Sequence, residues 1–217
     1  MTEDEISNRL VQSGRLVLTA LFLASTALLA QPTSTALMVD PAKTSASITL
    51  DATLHTVHGK FLLRRGDLRF DPVNGKVSGE IVFDATSGKT ANDGRDHKMH
   101  KDVLESAKFP DISFRPDRVE GKVSDSGTST VQVHGQFGIH GTEHELTVSV
   151  EVHLERDHWK ASTHFEVPYV KWGMKNPSNL FLHVGDSVKV EFVGEGALRA
   201  PSFPRVPDPQ PNVAPDK

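Results

Sequence analysis

The chain has 217 residues, enough for one domain with additional segments or for two small domains. Lys and Arg number 24 against 28 Asp and Glu, and this near-balance is unlike the basic surplus of nucleic-acid-binding proteins. The absence of cysteine excludes disulfide bonds, zinc sites with thiolate ligands and cysteine nucleophiles.

The N-terminal segment has the pattern of a secretory export signal. Residues 16–30 form an uncharged apolar run that follows Arg15, and the run is shorter than the roughly 20 residues of a comfortable membrane span. Small residues allow a cut after Ala36 or after Ala30. We predict an export signal over residues 1–36 and a periplasmic or secreted location, with an uncleaved membrane anchor as the alternative.

The C-terminal segment is rich in proline. Residues 201–217 contain six prolines and few apolar side chains, so burial of these side chains would not offset the conformational entropy that the segment loses on ordering. We expect a disordered tail over residues 200–217. The folded unit is then predicted to span residues 37–199.

Apolar and polar residues alternate with a period of two through most of this unit, which is typical of strands with one buried face. Eight such strands closing on themselves would remove exposed sheet edges, so we predict an all-β, eight-stranded antiparallel barrel, with a β-sandwich as the alternative. The strands are predicted around residues 46–52, 57–63, 77–83, 112–114, 131–139, 146–154, 159–167 and 188–192.

Two turns fix the register of the later strands. A two-residue turn at His140-Gly141 places Val133 opposite Val148, with the same parity facing inward on both strands. A turn at residues 155–158 keeps this inward parity on the next strand. An antiparallel meander with one buried face follows.

The inward side chains are expected to line a lumen that holds a ligand. Small residues on the same face, including Ala46, Ala52, Ala161 and Thr163, favour a hollow interior over a packed one. The predicted lining residues are Ile48, Leu50, Phe61, Leu63, Ile81, Phe83, Phe114, Val131, Val133, Phe137, Leu146, Val148, Val150 and Phe165, together with Trp172 and Met174.

Two segments break the alternation. Between the third and fourth strands, Met99, Val103 and Leu104 recur at helical spacing, which predicts a helix over residues 93–108 with Asp93 as its cap and Pro110 at its end. The irregular stretch of residues 169–182, which contains Trp172 and Met174, is expected to cover one mouth of the sheet, either as a lid or as a core plug.

Few polar residues in the sequence indicate a catalytic site, and no nucleophile–base pair or phosphate loop is present. We therefore predict a protein that is not an enzyme. Arg95 and Asp96 are expected either to form an ion pair that fixes the helix or to orient a ligand's head group, and His100 is assigned to the same two roles. His97 and His100, with Asp102, could share a metal. A metal- or haem-responsive protein is therefore the alternative function, although we expect no bound metal.

Four stretches resemble the YceI-like family, a lipocalin-like family whose members bind polyisoprenoid lipids in bacterial periplasms. The most specific is the block from Arg95-Asp96 through Met99, His100 and Val103-Leu104 to Phe109–Phe114. The others are Val39–Ser45, then Val57–Phe61 with Gly66 and Phe70, and Gly135–Thr142 with Leu146–Val148.

The resemblance, over about residues 39–197, implies a lipocalin-like barrel around an apolar channel that holds a polyisoprenoid, an isoprenoid quinone or a similar long-chain lipid. It also implies export and no catalytic activity. A membrane is then the expected lipid donor or acceptor, and a homodimer is left open. The chain departs from the family at Ala46 and Ala52, where larger residues are usual, and at residues 167–174, where an Asn-Arg block is usual.

Overall fold

The computed structural model describes residues 34–53, 55–124 and 126–199. In these residues, antiparallel strands form a single sheet that closes into a barrel. The strands are β1 (Thr35–Val39), β2 (Ser45–Leu50), β3 (Val57–Asp71), β4 (Lys76–Lys89), β5 (Asp111–Glu120), β6 (Gly127–Ile139), β7 (Thr142–Glu155), β8 (His158–Val167) and β9 (Val188–Arg199).

Strands β1 and β2 occupy one position in the barrel. Both pair with β3 and β9, β2 near one end and β1 near the other. A short 3₁₀ turn at Pro41–Lys43 separates them, and Asp40 caps this turn by accepting a hydrogen bond from the Ala42 amide at 2.9 Å. The barrel therefore has eight strand positions, which confirms the predicted fold. Strand β1 was not predicted, because its residues lie next to and partly within the segment assigned to export.

The predicted registers are confirmed. Val133 pairs with Val148 across β6 and β7, and Val152 pairs with Ala161 across β7 and β8. His140 and Gly141 form the two-residue turn and both have positive φ, which matches the twist of a tight hairpin. One face of each of these strands therefore points inward along its whole length.

Strand β3 changes its inward parity halfway along. A register shift against β4 lies between Leu63 and Arg65, where one extra residue forms a β-bulge. Buried Phe61 lies before the bulge at an odd position, and buried Leu68 lies after it at an even position. Period-2 alternation is interrupted there, which explains why the sequence predicted only the first half of this strand.

The helical excursion between the third and fourth strand positions is present but shorter than predicted. It consists of α1 (Asp93–Lys98) followed by a π-helical turn, Met99–Val103. The N-cap is Asn92 rather than Asp93, because Asn92 has extended backbone angles and its side chain accepts from the Arg95 amide at 2.9 Å. The helix ends well before Pro110, since Glu105 adopts a positive φ that stops it.

The two ends of the barrel differ. The long-loop end carries the β2–β3 loop, the excursion of residues 90–110, the tight β6–β7 turn and residues 168–187 between β8 and β9, which we call the cap segment. The hairpin end carries the short β3–β4, β5–β6 and β7–β8 turns.

No helix among the described residues is long and apolar enough to cross a membrane. The predicted export signal, except for residues 34–36, and the predicted tail lie outside the described residues. Thr35 and Ala36 belong to β1, so a cut after Ala36 would remove both from that strand, whereas a cut after Ala30 would leave β1 whole.

Replacing Gly79 with alanine should destabilise the barrel strongly. Gly79 has φ +105, and a Cβ there would overlap the carbonyl oxygen of Asp67 on the paired strand. Gly127 is the matched control, because it has φ +80 but no atom within 4 Å of the added carbon. We expect Gly127→Ala to cost about 1–2 kcal/mol of unfolding free energy, and Gly79→Ala to cost more because the strands must also move apart. Equal losses in urea unfolding would contradict this account.

Candidate functional site

The barrel encloses an apolar cavity of about 850 Å³. This volume is within the range of sites that hold a whole small-molecule ligand. Ala46, Ala52, Ala161 and Thr163 are all part of the wall, so the side chains that face the interior do not fill it. The interior is hollow, as these small residues predicted.

Most of the predicted lining residues do line this cavity. They come from seven strands, β2 to β8, and from the cap segment, which places the wall around most of the circumference of the barrel. The structure places these predicted residues at the wall: Ile48, Leu50, Phe61, Ile81, Phe83, Phe114, Val131, Val133, Phe137, Leu146, Val148, Val150, Phe165 and Met174.

Leu63 and Trp172 were also predicted to line the cavity, but they are not part of its wall. Leu63 lies beside the β3 bulge, where the inward parity changes, and it is only half-buried. Trp172 stacks on the ring of His144 with a centroid distance of 4.0 Å and an interplanar angle of 5°. It therefore packs at the rim of the long-loop end, whereas Met174 is buried.

Several wall residues at the hairpin end were not predicted from the sequence. Leu37 lies on β1, Phe70 on the second half of β3, and Leu198 at the end of β9. All three fall outside the strands that alternation predicted. Trp159 and Leu154 also lie at this end, and both have the inward parity that the β7–β8 turn implied. The hairpin end of the wall is therefore mainly aromatic and aliphatic, with Thr35 and Ser124 as polar members.

Polar groups reach the wall mainly at the long-loop end. His55, Thr90, Arg95 and Lys98 all line the cavity there, and we call these four residues the polar cluster. The Arg95 guanidinium donates from Nε to Thr90 Oγ1 at 2.8 Å and from Nη2 to the Thr90 carbonyl at 2.5 Å. Its Nη1 atom lies 3.4 Å from His55 Nε2. Two cationic side chains are thus placed beside an otherwise apolar space.

Thr90 links the helix to the barrel. Its amide and hydroxyl both donate to Asp96 Oδ1, at 2.8 Å and 2.5 Å, and Asp96 is only 3% exposed. Burial opposes the charge of Asp96, but the Thr90 hydrogen bonds and the Lys89 charge outweigh it and lower the pKa of the carboxyl. Among the described residues, Arg95 and Asp96 form no ion pair with each other. Each forms hydrogen bonds with Thr90, which lies between them.

His100 has a structural role, because it joins the π-helical turn to Ser106 and to β4. Its Nδ1 lies 3.1 Å from Ser106 Oγ and its Nε2 lies 2.9 Å from the carbonyl oxygen of Gly88, so both ring nitrogens have partners. It is not part of the cavity wall. Within residues 34–53, 55–124 and 126–199, no group of three or more His, Asp and Glu side chains is placed to hold a metal ion. The described geometry therefore does not support a metal site formed by His100 with His97 and Asp102.

The cap segment closes the long-loop end. Tyr169 and Met174 are buried against the cavity, and the Tyr169 hydroxyl donates to the Gly185 carbonyl at 2.7 Å. Burial, with a contribution from Asp186, raises the pKa of Tyr169 to about 12. Lys98 of α1 donates to the Pro177 carbonyl at 2.7 Å and so joins the helix to the segment. The stretch that contains Met174 thus serves as part of the cover.

A family model described as a YceI-like domain matches residues 37–195 of the chain. No curated protein sequence gives a significant match. Among solved structures, the chain is similar to BcnA of Burkholderia cenocepacia, with a TM-score of 0.61 and 17% identity over 73% of this chain and 99% of that one.

Two further solved structures are similar to this chain. A polyisoprenoid binding domain from Saccharophagus degradans, implicated in plant cell wall breakdown, matches with a TM-score of 0.60 and 16% identity over 78% of this chain and 99% of that one. The YCEI protein of Campylobacter jejuni matches with a TM-score of 0.55 and 17% identity over 67% and 86%. At these identities the likenesses show the fold.

Replacing Thr90 with valine should test its role in fixing the polar cluster. Valine keeps the shape but removes the buried hydroxyl, and we expect a loss of about 1–3 kcal/mol in unfolding free energy. Thr86→Val is the matched control, because the Thr86 hydroxyl donates to Asp84 at 2.6 Å on the exposed surface. The control should lose less than about 1 kcal/mol.

The same variant has an expected pH dependence. A lowered pKa stabilises the folded state above pH 3.8, the usual aspartate value, and this contribution is lost as the pH falls through the folded-state pKa. The deficit of Thr90→Val should therefore shrink in acid. Denaturant unfolding at pH 7 and below pH 3.8 measures it, and equal losses for the two threonine variants at pH 7 would refute the assignment.

Proposed function

The chain belongs to the YceI-like domain family, and we propose that it is a carrier that holds one long-chain lipid inside its barrel and performs no catalysis. The observation that carries this proposal is the continuous apolar cavity of about 850 Å³, lined from the long-loop end to the hairpin end. The similar fold of the polyisoprenoid binding domain from Saccharophagus degradans supports the same class of ligand.

Removal of apolar surface from water supplies the affinity. Each buried methylene group contributes about 0.8 kcal/mol, so a long isoprenoid or acyl chain gains more from the cavity than a short one. The wall at Leu154, Trp159 and Leu198 suits the end of such a chain. We propose a polyisoprenoid or an isoprenoid quinone as the ligand, bound reversibly and not as an obligatory cofactor.

The polar cluster gives the ligand a direction. Lys98 and Arg95 lie at the long-loop end, whereas the described residues at the hairpin end of the wall include no charged side chain. A head group with oxygen atoms would accept hydrogen bonds from these cations, and the chain would point towards the hairpin end. The ligand therefore enters and leaves at the long-loop end, with the cap segment as its cover.

Export is part of the proposal. The uncharged run of residues 16–30 supports a periplasmic or secreted protein. We favour a cut after Ala30, because it preserves β1 and its pairing with β3 and β9. A membrane would then supply or receive the lipid.

Filling the cavity should remove the lipid. Val133→Trp and Val150→Trp enlarge two wall residues, and each should lower the amount of lipid that organic extraction and mass spectrometry recover from the purified protein. Overpacking costs about 1–3 kcal/mol, so unfolding is measured alongside. The outward neighbours provide controls, since Gln132→Lys and Glu151→Gln should change neither property. If both tryptophan variants fold and keep full lipid content, the interior is not the binding site.

Removing one charge from the polar cluster should change head-group preference. Lys98→Met keeps the apolar stem and should weaken retention of a polyprenyl phosphate by about tenfold, the equivalent of one hydrogen bond to a charged group. Retention of the neutral polyprenol of the same length should change much less. Lys101→Met, an exposed residue of the π-helical turn outside the wall, is the control. Equal loss of both lipids would show that Lys98 acts only through its bond to Pro177.

A further inference from the structure

Two adjacent apolar side chains of the cap segment are almost fully exposed. Leu180 is 96% exposed and Phe181 is 90% exposed, the highest values among the large apolar residues that the structure describes. Scattered single apolar residues are common on protein surfaces, but two consecutive ones at this exposure are not explained by packing. We call this pair the apolar tip.

The local backbone holds the apolar tip outward. The Asn179 side chain accepts hydrogen bonds from the amides of Phe181 and Leu182, both at 2.9 Å, and the Asn179 amide donates to the Leu182 carbonyl at 2.9 Å. Ser178 Oγ accepts from the Val184 amide at 2.9 Å. The backbone of the turn is therefore fixed by its own hydrogen bonds, with both apolar side chains exposed on it.

The apolar tip is continuous with the cavity. Asn179 and Leu182, the residues on either side of it, both line the cavity wall, and so does Pro177. The wall of the cavity thus reaches the residues on both sides of the exposed Leu180 and Phe181. A lipid that leaves the cavity at this end would pass beside Leu180 and Phe181.

The charges of the cap segment indicate which partner the tip fits. Lys171 and Lys175 are exposed, whereas Asp186, the one acidic residue in the segment, accepts a hydrogen bond from Asn176 at 2.7 Å. Lys98 lies against Pro177 of the same segment. Exposed apolar side chains beside lysines match the interface of a bilayer that contains anionic lipid.

We propose that Leu180 and Phe181 insert into the surface of an anionic lipid bilayer and dock the long-loop end of the barrel against it. This inference rests on the proposed carrier function, since docking would place the exit of the cavity at the membrane. The cap segment then serves two purposes, as the cover of the cavity and as the membrane contact.

The test uses the full chain and vesicles made of equal parts of phosphatidylcholine and phosphatidylglycerol, with phosphatidylcholine alone for comparison. A double variant, Leu180→Ser with Phe181→Ser, should reduce the affinity for the mixed vesicles by at least about tenfold, since two large apolar side chains no longer leave water. Val73→Ser is the matched control, because Val73 is 78% exposed but lies in the β3–β4 turn at the hairpin end.

A local probe separates the tip from any contribution of residues 16–30. Phe181→Trp should gain fluorescence that is blue-shifted by the mixed vesicles and quenched by brominated acyl chains, measured as a difference from the wild type. Val73→Trp should show neither change. Absence of quenching in the Phe181→Trp variant, or equal quenching in both variants, would overturn the proposal.

Two other outcomes are equally decisive. If the double variant turns a dimer into a monomer and the Phe181→Trp probe is not quenched, the tip is an interface between two copies of the chain and the proposal fails. Lipid content by mass spectrometry is measured on the same preparations. Bound lipid without insertion overturns the docking tip alone, and insertion without any bound lipid overturns the carrier function while the docking tip stands.

Discussion

Closure of the sheet is the constraint on which the rest of the structure depends. Once β2 pairs with both β3 and β9, the ring of eight positions is complete and each inward side chain must face one shared space. That face is apolar, but Ala46, Ala161 and Thr163 are too small to fill it. The cavity therefore results from closure and side-chain volume together, and it extends wherever the inward parity is kept.

The same topology places the charged wall residues and the two longest connections at one end of the barrel. Short turns connect the strands at the hairpin end, while the excursion of residues 90–110 and the cap segment both lie at the long-loop end. Thr90 and Lys98 hold these two segments in place, through Asp96 and through the carbonyl of Pro177. The charged wall residues, the cover and the exposed apolar surface thus lie at the long-loop end, whereas the described wall residues at the hairpin end carry no charge.

Much of the fold could be predicted from the sequence, because it depends on a local rule. Two turns and a period of two determined the pairing of β6, β7 and β8, and most of the wall followed from them. The features that were missed depend on exceptions to that rule. The β3 bulge removed Leu63 from the wall, and the turn at Pro41–Lys43 separated β1 from the alternation of β2.

The polar and rim positions were harder to predict for a different reason. An ion pair between Arg95 and Asp96 was one of two expected roles, but both side chains form hydrogen bonds with Thr90, which lies outside the predicted helix. Trp172 packs on His144, a partner 28 residues earlier in the sequence, and no local pattern indicates this contact. Side-chain partners of this kind are set by tertiary packing rather than by periodicity.

The pairing of the first and last strands also sets an order in time. Residues 36–39 and 45–49 pair with residues between 189 and 199. The first strands of the barrel therefore cannot complete their pairing until the last strand has been synthesised. Contacts this distant in sequence form slowly and only after the intervening chain is available. The barrel cannot close on a partly synthesised chain, and a ligand cannot be enclosed before β9 is in place. Any ligand that the cavity holds is therefore taken up by the finished protein and not during its synthesis.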